Sequence, residues 1–206
     1  MFTFQSVDER PDEDAALMRR VALGDQTAFA SLYDRHHRSV ARFAHRFMGD
    51  AARAEELTQD IFVKLYRHAA RYRPTARFKT FLFKVAANHC LNEVRKGEYR
   101  VAHVREDVED GRPLEIPAPE AESPHRAAEG RELEAEVAAA MARLSERERT
   151  AFALCRFEGM AYRDIAEVLS ASEAAVKSLI HRATLSVARA VDRWQSGAEP
   201  PARSRA

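Results

Sequence analysis

Cysteine, glycine, proline and tryptophan are all sparse in this 206-residue chain. Cys90 and Cys155 are far apart in sequence, so no disulfide framework is expected and both thiols should be reduced. Gly and Pro are scarce outside one segment, which favours real cores built mostly of helices. No strict apolar–polar alternation marks a strand. No window approaches the ~20 apolar residues of a membrane span, so no membrane insertion is expected. The amino terminus, Met-Phe-Thr-Phe, turns acidic by Asp8, lacks the basic start and apolar run of an export signal, and points to a cytoplasmic protein. Catalytic signatures are missing as well. There is no HExxH or paired-cysteine spacing, and His36 and His37 are adjacent on a helix and cannot face one site. His89 beside Cys90 reads as packing or surface rather than a metal pair. No acid, base and nucleophile can be assembled, so neither an enzyme, a metal site nor a cofactor is expected.

The chain does have helical periodicity, in an all-α pattern of two small domains. In the first, residues 14–100, the spacing predicts helices over about 14–23, 26–47, 54–67 and 78–96, with Gly24 and Gly49 at stopping points. The second, residues 132–195, opens with a capping box at Ser145-Glu146-Arg147-Glu148 and a helix that Gly159 can end. A short helix over 161–169, a tight turn at 170–172 and a longer helix from Glu173 to about Trp194 have helix-turn-helix spacing.

Net charge is only +1, but it is strongly polarised along the chain. From Lys64 to Arg105 eleven Lys or Arg stand against Glu93 and Glu98, a local excess of about +9. From Glu106 to Glu136 eleven acids stand against Arg112, Arg126 and Arg131, about −8. That acidic stretch contains Pro113, Pro117, Pro119 and Pro124, has no apolar period, and reads as an extended linker, residues 101–131. Its composition favours a solvated tether; the second reading is a negative strand lying in a partner's basic channel.

Residues 54–67 set an apolar seam of Leu57, Ile61 and Leu65 beside an outward face of Gln59, Asp60, Lys64 and Arg67. A basic and aromatic run follows directly: Arg71, Tyr72, Arg73, Arg77, Phe78, Lys79, Phe81, Phe83, Lys84, Asn88, Arg95 and Lys96. Cations interleaved with rings suit melted nucleic acid, because charges track phosphates while aromatic faces receive unstacked bases. Thr80 and Asn88 offer polar groups to the edge of an extruded base. Phe78, Leu82 and Val85 are assigned to the core, while Phe81 and Phe83 fit either a core or a base-contact role. On the last helix Val176, Ile180, Ala183, Val187 and Val191 form the inward stripe, and Lys177, Ser178, His181 and Arg182 start the other face. Such a face suits a major groove; a plain helical hairpin has the same spacing.

Together the two halves resemble the extracytoplasmic-function group of bacterial sigma factors in the sigma-70 family. Three blocks carry the resemblance: AEELTQDIFVKLYR at 54–67, FKTFLFKVAANHCLNEVRK at 78–96 and YRDIAEVLSASEAAVKSLIHRA at 162–183. It implies a protein that binds core RNA polymerase through the clamp coiled coil of the largest subunit and through the flap, directs it to promoter DNA and promotes melting. Glu56, Gln59, Asp60, Phe62 and Lys64 would then contact the polymerase. Arg73, Arg77, Lys79, Thr80, Phe81, Lys84, Asn88, Arg95 and Lys96 would hold the minus-ten strand, with Asn88 on the family's asparagine. Arg163, Ser172, Lys177, Ser178, His181 and Arg182 would read the minus-thirty-five element. The family also implies an anti-sigma factor as partner.

Phe81 stands where many members have tryptophan, and Asn92, where an acid is common, is given no role. Ser170 replaces a turn glycine, Ala175 a threonine, and Leu179 and Thr184 arginines, which implies fewer upstream phosphate contacts. The rival reading is a helix-turn-helix regulator that acts without docking on the polymerase. That reading leaves the basic aromatic helix and the outward face at 59–67 unexplained.

Overall fold

The computed structural model describes residues 12–103 and 124–196, with side chains described for 12–96, 130 and 132–196. The described residues form eight α-helices and one 3-10 turn, and no strand. The first group is α1 (Glu13–Ala22), α2 (Gln26–Met48), α3 (Ala51–Arg67), the 3-10 turn at Ala69–Arg71 and α4 (Phe78–His103). The second is α5 (Pro124–Ala142), α6 (Glu146–Arg156), α7 (Tyr162–Leu169) and α8 (Glu173–Gln195).

Helix starts are written in carboxylates and hydroxyls. Asp12, Asp25 and Asp50 cap α1, α2 and α3 by accepting from Ala15, Ala28 and Arg53 backbone N–H groups at 3.0, 3.0 and 2.6 Å. The second carboxylate oxygen of Asp12 also accepts from the Phe78 N–H at 2.6 Å, so one side chain serves the starts of both α1 and α4. Ser145 and Glu148 form the expected reciprocal box on α6. Gly49 ends α2 in the left-handed region at φ 69°.

The first core packs Met18 of α1, Leu32 and Phe43 of α2, Leu57, Ile61, Phe62 and Leu65 of α3, and Phe78, Leu82 and Phe83 of α4. Phe62 is gripped edge-on by Phe29 and Tyr33, with ring centroids at 6.4 and 4.8 Å. Each such side chain contributes about 1.5–3 kcal/mol on burial. In the second group α8 lies against α5, α6 and α7 and buries Val176, Leu179, Ile180, Ala183 and Ala190. Of the stripe expected there, Val187 and Val191 are only half-buried, and Ala190 and Leu179 fill the places instead.

One expectation is corrected. Residues 124–131 were read as extended linker, but Pro124 opens α5. Proline is favoured in the first turn of a helix, where its missing N–H is not needed, and the Ala- and Glu-rich sequence after it propagates the helix. Residues 101–103, also read as linker, are the end of α4, and 104–123, the remainder, lie outside the described residues.

The two groups touch. α7 packs on α4, and α5 on α2. At the seam the Glu158 side chain, 3% exposed, accepts a short hydrogen bond from Ser39 Oγ on α2 and stands 3.7 Å from Lys79 Nζ on α4. Lys79 also donates to the Glu158 carbonyl at 2.5 Å. Nearby, the Arg46 guanidinium lies 3.7 Å from the Phe157 ring centroid, and Arg95 pairs with Glu146 at 3.0 Å.

Candidate nucleic-acid interface

The apolar seam of α3 faces inward as its spacing requires, which leaves Glu56, Gln59, Asp60 and Lys64 exposed in a row on the other side. Phe62 is the exception among the expected docking residues. At 2% exposure, held between Phe29 and Tyr33, it is core packing and presents no surface to a partner. Val63 and Tyr66 belong to the exposed face instead, 45% and 42% exposed. Val63 lies two residues beyond Ile61, about 200° round the helix, so the angular spacing alone marks it as outward.

Charges on this face are braced from α4. Arg53 spans Glu56 and Glu93, 2.7 Å from each, and Lys96 meets Glu93 at 2.7 Å. The Lys96 hydrogen bond, with the charges of Lys96 and Arg53, holds the Glu93 carboxyl below its usual range. Asp60 and Lys64 both approach His89 of α4.

The minus-ten candidates divide. Arg73, Arg77, Asn88, Arg95 and Lys96 are exposed, while Lys79, Phe81 and Lys84 are half-buried. Thr80 is corrected: only 1% exposed, it points into the core and offers nothing to a base. The alternatives left open for the two rings also separate. Phe83 is buried edge-on against Phe43, with centroids at 5.4 Å, whereas Phe81 leans on Tyr72 at 5.0 Å with part of its surface open. Lys79 and Arg95 are engaged by Glu158 and Glu146 of the second helical group, and Lys96 by Glu93.

On the second group Arg163, Ser172, Lys177, Ser178, His181 and Arg182 are all exposed. Ser172 is the N-cap of α8 and accepts from the Ala175 N–H at 3.2 Å, so its hydroxyl starts the helix. Arg182 is tied to Glu148 at 2.6 Å. That bond, with the one from Ser145, keeps the Glu148 carboxyl below its usual range. Leu179, where the resemblance expects an arginine, is buried.

Comparison with known proteins bears on this arrangement directly. The Sigma-70 region 2 family model matches residues 32–100, and the Sigma-70, region 4 model matches residues 134–185. RNA polymerase sigma-H factor of Pseudomonas aeruginosa is 32% identical over 87% of this chain and 94% of its own length. ECF RNA polymerase sigma factor SigE of Mycolicibacterium smegmatis is 34% identical over 88% and 69%. Among solved structures, CnrH in complex with the cytosolic domain of CnrY aligns with TM-score 0.66 and 25% identity, covering 88% of this chain and 98% of CnrH. The sigma factor RpoE of Bartonella quintana, solved with the anti-sigma factor NepR, shares the fold at TM-score 0.64 and 20% identity, over 80% of this chain and 96% of its own. The chain belongs to the extracytoplasmic-function sigma factors of the sigma-70 family. Its function is to bind core RNA polymerase and set promoter choice, a non-enzymatic role in transcription initiation.

Proposed function

We propose that the outer face of α3 docks on the clamp coiled coil of the polymerase through Glu56, Gln59, Asp60 and Lys64, with Val63 and Tyr66 as its apolar part. The neighbouring α4 then presents Asn88 to a base flipped from the minus-ten strand, with Arg73, Arg77, Lys79, Lys84 and Arg95 along the phosphates and Phe81 as a stacking surface. The first turns of α8, with Lys177, Ser178, His181 and Arg182, meet the upstream element while the second group sits on the flap. The observation that carries this reading is the exposure of two unlike faces, one mixed polar–apolar and one basic with Asn88, on adjacent helices of one bundle.

Neither group is basic enough to hold promoter DNA tightly alone. Fixing both on the polymerase raises the effective concentration of each over its own element. The acidic tract after α4 would run through the cleft used by template or nascent RNA. An anti-sigma factor that clamps both groups is a further partner, proposed on the family resemblance, and the setting is the cytoplasm.

Run-off transcription with purified core polymerase on a genomic library tests the whole. Asp60→Arg is expected to abolish holoenzyme assembly with the fold intact. Asn88→Ala should spare assembly and impair opening. Lys177→Ala with Arg182→Ala should weaken upstream contact and lower the salt slope of DNA binding by about 2. Unchanged assembly with Asp60→Arg would overturn the docking assignment.

A further inference from the structure

Behind the docking face three ionisable side chains from two helices meet. Lys64 Nζ lies 2.5 Å from His89 Nδ1, and Asp60 Oδ2 lies 3.4 Å from His89 Nε2. His89 is on α4, next to Asn88, and is only 7% exposed. An ammonium can only donate, so Nδ1 is the acceptor, the ring is neutral, and its proton sits on Nε2 facing the carboxylate. The Nε2 approach is long and forms no hydrogen bond, so the Lys64 contact is the firm one and the Asp60 contact is a looser attraction. Asp60 and Lys64 are one turn apart on α3, a spacing at which they would pair with each other; here the imidazole stands between them.

We infer that His89 is a positioning residue for polymerase docking, fixing Asp60 and Lys64 in one geometry from behind and joining the docking face to the helix that carries Asn88. The inference rests on the proposed docking role of α3. Burial pushes the His89 pKa below its ordinary value and the Lys64 ammonium adds to this, while Asp60, and Glu93 one turn along α4, oppose it. Glu93 is itself held by Arg53 of α3 and Lys96. Protonation of His89 fills Nδ1 and expels the Lys64 ammonium, so docking weakens in acid.

The test is the affinity of the full chain for core polymerase, measured between neutral pH and about pH 5.5. His89→Leu, which fills the space without either contact, is expected to lose about tenfold. His89→Asn keeps an acceptor near Nδ1 and does not titrate, so it should retain most of the affinity and lose the extra weakening in acid. In a Lys64→Ala background His89→Leu should cost less than about twofold more, because its effect passes through Lys64. Losses that multiply in the double variant, full affinity in His89→Leu, or an unchanged acid dependence in His89→Asn would each overturn the inference. Should His89→Leu fail to fold on a melting curve, the His89→Asn pH profile decides. If Lys64→Ala and Asp60→Arg both leave affinity untouched, the docking reading falls and takes the inference with it. If those two weaken binding and His89→Leu does not, the inference alone falls.

Discussion

Ser170 ends α7 at φ 48° and ψ 53°, the sole non-glycine with positive φ among the described residues. A side chain in this left-handed region crowds its own carbonyl at a cost of about 1–2 kcal/mol. The position is the turn of the helix-turn-helix, where the sequence resemblance expects glycine. Ser170→Gly should therefore raise the stability of the second group by about 0.5–1 kcal/mol, the glycine's extra unfolded-state entropy offsetting part of the relief; thermal melting measures it. Two histidines set an acid limit on the folded chain. Burial lowers the pKa of His45 and of His89, so below the usual histidine value of about 6.5 the unfolded chain takes up protons that the folded one does not. Stability is thus full above that value and falls as pH drops through the folded pKa values. Glu93 and Glu148, whose carboxyls are depressed, add a second loss that begins below about 4.5. Denaturant midpoints measured from about pH 7 down to about pH 2.5 should fall in these two stages, and replacing either histidine should shrink the first.

At the scale of the helix, Asp12 is the economical device: two carboxylate oxygens serve two helix starts. Asp12→Ala should destabilise the first group by about 1–2 kcal/mol, more than Asp25→Ala, whose carboxylate caps α2 and otherwise meets exposed Arg20. Chemical denaturation of the two variants side by side checks the ranking. The capping role of Asp12 towards α1 is readable in sequence; its bond to the residue 78 backbone is not, because the partner is 66 positions away. Periodicity recovered the α3 seam and the exposed Asp60 and Lys64, since a 3.6-residue repeat fixes faces within one helix. The family resemblance misplaced Phe62 and side-chain polarity misplaced Thr80, each beside a seam, where a shift of a fraction of a turn separates core from surface. Whether Phe62 is enclosed depends on Phe29 and Tyr33 of α2, so no window on α3 can decide it. Pro124 misled for a different reason: proline breaks helix interiors but suits their first turn.

For the whole molecule the decisive residue is Glu158, which reads in sequence as an ordinary acid before a glycine. Its buried carboxylate joins Ser39 of α2 and Lys79 of α4 to the second helical group. Glu158 is buried but Lys79 is 41% exposed, so losing this contact costs about 1.5–3 kcal/mol, as for a hydrogen bond to a charged group, whereas the Arg95–Glu146 pair, with Arg95 largely exposed, is worth at most about 1 kcal/mol. Glu158→Leu should part the two groups, seen as a larger radius of gyration in small-angle scattering, while Glu146→Ala should leave the dimensions unchanged. An unaltered radius in Glu158→Leu would show that the apolar contacts of α7 on α4 suffice alone.

Because Lys79 and Arg95 are occupied by the second group, the α4 surface is partly covered while the halves stay together. If α4 takes the minus-ten strand as proposed, only molecules caught apart offer all of it, and the apparent affinity for that strand scales with the fraction that is open. An open population of about 1% would weaken observed binding roughly a hundredfold with no change in any contact. Whatever levers the halves apart, by that arithmetic, acts as an activator of this chain.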